Sequence, residues 1–109
     1  MIEISKDNFE EEVLSSRIPV LMDFWGPSCG PCLALMPYVE QMAGQYQELV
    51  KVCKVNAAQN RRLCINLKVI TLPTFILYSG GKELRRLGTE VKKEDILKCF
   101  EELSGLIPK

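Results

Sequence analysis

The run Pro19-Val20-Leu21-Met22-Asp23-Phe24-Trp25 constrains the fold more than any other stretch. Its apolar residues are nearly continuous rather than alternating, so a strand formed here must be covered on both faces. Such a strand needs helices above and below its sheet. The one interruption is Asp23, an ionisable residue in a run that reads as buried. A carboxyl held away from water is costly to ionise, so its pKa should rise. A solvent-exposed aspartate capping the strand end is the other reading of the same residue.

The chain on either side fits that requirement. Ile2 and Ile4 flank Glu3 in strand-like alternation. Asp7 and Glu10 have capping-box spacing ahead of a short amphipathic helix carrying Phe9, Val13 and Leu14. From Cys32 to Tyr46 the positions Leu35, Met36, Val39, Met42, Ala43 and Tyr46 recur at helical spacing, with Pro37 expected to kink the helix. Leu49 to Val55 is a valine-rich strand, and Ala57 to Leu67 a short helix. Thr74 to Tyr78 and Glu83 to Leu87 read as strands joined by a turn at Ser79-Gly80-Gly81, with Gly88 ending the second. The last helix, Lys93 to Ser104, sets Ile96, Cys99, Phe100 and Leu103 on one face. The front strand–helix–strand units imply parallel pairing, and the tight turn implies an antiparallel pair at the end. The fold class is therefore α/β, one mixed sheet of about five strands flanked by about four helices. No repeat, low-complexity stretch or linker divides the chain, so residues 1–109 read as one domain.

Composition narrows the function. Fourteen basic residues balance fourteen acidic ones, which gives no reason to expect nucleic acid or an anionic membrane as partner. No apolar stretch reaches the roughly 18 residues of a membrane span, and the N-terminus lacks a signal-peptide pattern. A cytoplasmic location is the expectation. There is no histidine, so Cys–His and Ser–His–Asp catalysis and mixed Cys/His zinc sites are excluded.

The chemistry then falls to cysteine. Of five, Cys29 and Cys32 are separated by Gly30-Pro31 and stand where the apolar strand gives way to the helical pattern. A thiol at a helix start faces free backbone N–H groups and the positive end of the dipole, which favour its thiolate. Such a pair can cycle between dithiol and disulfide. Cys53, Cys64 and Cys99 lie in a strand of buried character and on the apolar faces of two helices, where a free cysteine acts as a small hydrophobe. Arg61 and Arg62 would lower the pKa of Cys64 if it were exposed.

With the motif and element order together, the chain resembles the thioredoxin family over essentially its whole length. Cys29-Gly30-Pro31-Cys32 carries the Gly-Pro pair of reducing members, and Phe24-Trp25 precede it at the family's spacing. Asp23 matches the family's buried acid, Lys54 the lysine that approaches it, and Pro37 the proline of the active-site helix. Leu72-Pro73-Thr74 matches the loop whose proline is cis, and Gly88 the glycine closing the substrate groove.

The resemblance implies a thiol–disulfide oxidoreductase that reduces protein disulfides. Cys29 is then the nucleophile, Cys32 the resolving thiol, Asp23 the proton acceptor and donor, and Lys54 the residue that tunes Asp23. Trp25, Gly30, Pro31, Leu72, Pro73 and Gly88 shape the groove, with the Leu72 backbone pairing an extended substrate segment. It further implies electrons taken from a flavoprotein thioredoxin reductase, since the chain has no dinucleotide fingerprint and needs no tightly bound cofactor, and a small reductase of this kind is most simply a monomer.

One departure stands out. Thioredoxins usually carry tryptophan immediately before the first cysteine, and here Ser28 follows Pro27. It bears on partner range, and it leaves a partner-specific adaptor as an alternative. A metal module built on Cys29 and Cys32 is another, although zinc sites commonly show two close-spaced pairs and the other cysteines are scattered.

Overall fold

The computed structural model describes residues 1–106. The last three residues of the expected 1–109 domain lie outside it. Five strands form one mixed sheet in the order β1-β3-β2-β4-β5, where β1 is Ile2–Glu3, β2 Val20–Trp25, β3 Lys51–Asn56, β4 Thr74–Ser79 and β5 Lys82–Leu87. β1, β3 and β2 run parallel, while β4 is antiparallel to both β2 and β5. Helices α1 (Gly30–Gln45), α2 (Arg61–Asn66) and α3 (Lys93–Ser104) and a short π-helical segment at Glu10–Leu14 cover it.

The central strands are apolar on both sides because two cores flank the sheet. Val20, Met22 and Phe24 of β2 pack with Val13, Leu63, Ile76 and Tyr78 on the face of the π segment and α2. Leu21 packs with Val39, Met42, Phe75, Ile96 and Phe100 on the face of α1 and α3. The alternation fixes the direction of Asp23. Its register partners are Phe75 and Lys54, and Phe75 and the neighbouring Leu21 and Val52 belong to the α1/α3 core. Asp23 and Lys54 therefore both belong to the side covered by α1.

Two local expectations change. Asp7 and Glu10 do not form a capping box. The Ser5 N–H donates to Asn8 Oδ1 at 2.8 Å and the Asp7 N–H to Ser5 Oγ at 3.2 Å. The helix that follows is a single wide turn, closed by the Ser15 N–H on Glu10 O at 2.9 Å. Residues 57–60 form a turn, so α2 begins only at Arg61. Pro37 lies inside α1 as expected and on its exposed side, where a missing backbone donor is least costly.

β5 is a charged edge strand, Lys82-Glu83-Leu84-Arg85-Arg86-Leu87, which discourages further strand pairing. Gly80 and Gly81 make the β4–β5 turn with φ of 60° and 79°, the left-handed region that two-residue hairpin loops require. At Gly81 a Cβ would also come within 3.0 Å of Leu14 O. Arg86 ties this edge to the end of α2 by donating to Leu67 O at 3.1 Å and Lys68 O at 3.2 Å. The loop 67–73 is thus anchored at its start, and it returns to β4 beside the first turn of α1.

Candidate active site

β2 delivers the chain to the end of the sheet at Trp25. There the Cys29 N–H donates to Gly26 O at 3.0 Å, which turns the chain into α1. Cys29 is the N-cap of α1, with extended backbone, and Pro31 lies in the first turn, where a residue without an N–H costs least. The Cys32 N–H points back to Cys29 Sγ at 3.2 Å. In the structure Cys29 and Cys32 are joined as a disulfide, with their Cα atoms 5.3 Å apart. A backbone N–H and the positive end of a helix beside a sulfur are features that favour a thiolate over a thiol. Cys29 is half-buried, whereas Cys32 retains 2% exposure. One sulfur can be reached from outside and the other stands behind it.

Asp23 is 1% exposed, and its Oδ1 has no hydrogen-bond partner among the described residues. Desolvation pushes its pKa up to about 7, against a smaller opposing pull from Lys54. The strand-end alternative is excluded, because a solvent cap would be neither buried nor shifted. The Lys54 ammonium lies 6.0 Å from the Trp25 ring centroid and 3.8 Å from Glu3 Oε1 at the surface. It acts on Asp23 through space. The Trp25 Nε1 is also buried without a partner among the described residues.

Leu72-Pro73 is a cis peptide, and both residues sit in the loop that meets Cys29. A depression of about 470 Å³ at the site is lined by Cys29, Gly26 and Ser28 together with Leu72, Ala57 and Arg61. A Cβ on Gly26 would lie 3.2 Å from Leu72 Cδ1, so glycine there gives the Leu72 side chain its place. No backbone or side-chain group among the described residues bonds to the Leu72 N–H or C=O. Gly88 lines a separate hollow with Thr89 and Glu90, while Gly30 and Pro31 are exposed at the helix start. Sequence reasoning missed Ala57 and Arg61. They lie about thirty residues from Cys29 in the chain and are brought to it by the parallel pairing of β2 with β3, in which the Ala57 N–H donates to Trp25 O at 2.8 Å.

The other three cysteines are buried and free. Burial pushes the thiol of Cys53 up to about 12 and that of Cys99 to about 11, and it raises Cys64 despite the neighbouring Arg61 and Arg62. We therefore expect no more than two of the five thiols of the reduced, folded protein to react with a thiol-specific disulfide reagent at pH 7. The remainder should react only after denaturant is added, and a third thiol reacting in the folded state would contradict this.

Comparison with known proteins agrees with the geometry. The family model described as Thioredoxin matches residues 1–102. A thioredoxin of Peptoclostridium acidaminophilum is 40% identical over 109 residues, covering all of this chain and 94% of its own length. A thioredoxin of Acetoanaerobium sticklandii is 43% identical over 95 residues, 87% of each chain. The bifunctional thioredoxin reductase/thioredoxin of Mycobacterium leprae is 34% identical over 107 residues, covering 98% of this chain and 23% of that protein.

Proposed function

Because the chain belongs to the thioredoxin family and is a thiol–disulfide oxidoreductase of that type, we propose that it reduces protein disulfides with Cys29 as nucleophile and Cys32 as resolving thiol. The observation that carries this assignment is the asymmetry of the pair. Cys29 is half-buried and accepts a backbone hydrogen bond at 3.2 Å, while Cys32 is enclosed.

The Cys29 thiolate attacks one sulfur of a substrate disulfide. A Cys29–substrate disulfide forms, and the substrate's other sulfur leaves as a thiolate that takes a proton from water. Cys32 then gives its proton to the Asp23 carboxylate and attacks Cys29 Sγ. The second substrate sulfur leaves, and the protein ends as the Cys29–Cys32 disulfide, two electrons having passed to the substrate. Asp23 suits this exchange because its pKa of about 7 lies near working pH. Lys54 moderates that value, and a substrate segment pairs with the free N–H and C=O of Leu72 as an added strand. Trp25, Gly30, Pro31, Pro73 and Gly88 shape the surface on which it lies.

Partners of the family in general are a thioredoxin reductase and disulfide-bearing proteins, and the Mycobacterium leprae relative is named for both activities in one chain. We infer a flavoprotein reductase as electron donor and a monomeric, cytoplasmic protein of one domain over 1–109. No helix among the described residues is long and apolar enough to cross a membrane.

The test is reduction of insulin disulfides with NADPH and a thioredoxin reductase. Catalytic turnover is expected, and a Cys29–Cys32 pair that stays oxidised in the presence of the reductase and also fails with dithiothreitol would refute the assignment. Ser28→Trp restores the large apolar surface usual beside the first cysteine, and kcat/KM with the reductase should rise several-fold. An unchanged or lower value would show that Ser28 does not limit this coupling.

A further inference from the structure

The lining of the depression beside Cys29 is mainly apolar. Gly26, Ala57, Ala58 and Leu72 supply carbon surface, Ser28 contributes a small hydroxyl, and Arg61 is the one charged residue in the lining. Arg61 is exposed and forms no ion pair among the described residues. The neighbouring hollow shares Arg61 as its boundary and adds Lys6 and Arg62 against the single carboxylate of Asp7. The chain as a whole carries no net charge, so this positive end is local. A segment lying across Cys29 and running past Arg61 meets cations. Ile70, 92% exposed two residues before Leu72, adds an apolar contact on the loop side, which suits a polypeptide more than a small solute.

We propose that Arg61 is a specificity-determining residue of this groove, selecting disulfide-bearing protein segments that carry an aspartate or glutamate close to the attacked cysteine. The proposal rests on the assignment of Cys29 as the attacking sulfur. A guanidinium at a groove rim pairs with a carboxylate without being desolvated, so it acts mainly on encounter and orientation, and salt weakens it. Exposed ion pairs of this kind change an equilibrium by about two- to fivefold. Attraction of an acidic segment and repulsion of a basic one together should separate the two by about fivefold or more.

The experiment uses three synthetic peptides of one sequence, each closed by an internal disulfide and differing only in a Glu, Gln or Lys next to one cysteine. The rate constant for reduction of each by the fully reduced protein is measured for the wild type, Arg61→Gln and Arg61→Glu. At about 0.01 M ionic strength the wild type should rank Glu above Gln above Lys. Arg61→Gln should flatten the ranking and Arg61→Glu reverse it. At about 1 M salt, where screening acts within roughly 3 Å, the three peptides should converge. The readout is the ratio of Glu to Lys peptide, which a general loss of folded protein does not move. Equal wild-type rates for the three peptides, or a ranking that Arg61→Glu leaves in place, overturns the proposal. If no peptide is reduced by the wild type, the assignment of Cys29 fails, and the proposal with it.

Discussion

Cys29→Ser should abolish disulfide turnover, and Cys32→Ser should leave a protein that attacks substrates once and stays attached. The first change removes the sulfur that receives the Cys32 N–H at 3.2 Å and can be reached from outside. The buried Cys32 cannot replace it. The second change leaves Cys29, the proposed nucleophile, in place, but removes the sulfur three residues on that we assign to displacing the substrate. Reduced Cys32→Ser protein mixed with a disulfide substrate should therefore accumulate a covalent adduct visible on a non-reducing gel and dissolved by dithiothreitol. Cys29→Ser should give little or none. Adduct formation by Cys29→Ser with none by Cys32→Ser would reverse the assigned order of attack.

Asp23→Asn should stabilise the oxidised protein at pH 8 and slow it as a catalyst. The folded-state pKa of Asp23 is raised from 3.8 to about 7 by burial. Between those values the folded protein holds a proton that the unfolded chain has lost, so stability falls as pH rises through this window and levels off above it. At about 1.4 kcal/mol per pK unit, the ionised buried carboxylate costs about 4 kcal/mol at pH 8. Asparagine, a neutral group of the same shape, avoids that cost. Denaturant unfolding should show the variant more stable by about this amount at pH 8 and nearly equal to the wild type at pH 4. A gap that does not change with pH would mean that Asp23 does not titrate in this range.

The kinetic effect has the opposite sign. Without the carboxylate, Cys32 loses the positioned proton acceptor for its attack, and a group in that role contributes typically about a hundredfold or more. Resolution of the mixed disulfide should slow by about a hundredfold or more at pH 7, and the defect should shrink as rising pH lets hydroxide take the proton instead. A defect independent of pH would point to lost packing rather than a lost proton acceptor.

Much of the architecture was legible because burial on two faces leaves a plain mark. Val20–Trp25 and Thr74–Ser79 are apolar without alternation, and both are inner strands. Ile96, Cys99, Phe100 and Leu103 recur at helical spacing and all point into the core. What failed was local and polar. Asp7 and Glu10 had the right spacing for a cap, but Asn8 and Ser5 reach the free N–H groups first. Residues 57–59, Ala-Ala-Gln, are good helix formers, yet they turn: the Gln59 N–H bonds Asn56 O at 3.1 Å and the Asn60 N–H bonds Ala57 O at 3.3 Å, while the Ala57 N–H extends the sheet pairing to Trp25 O.

The sequence by itself determined the chemistry. The two sulfurs are three positions apart at a strand-to-helix junction, and one acid interrupts an apolar strand, so the pair and the acid are visible in spacing and hydropathy, which are properties of neighbouring residues, while the proton-transfer role assigned to that acid rests on the family resemblance. Only the tertiary structure decided what surrounds them. Asp23 and Lys54 become neighbours through the β2–β3 register. Leu72, Ala57 and Arg61 reach Cys29 because parallel pairing and a returning loop bring distant segments to one end of the sheet. Contacts of that kind depend on which strand ends align in space, and no local pattern along the chain encodes them.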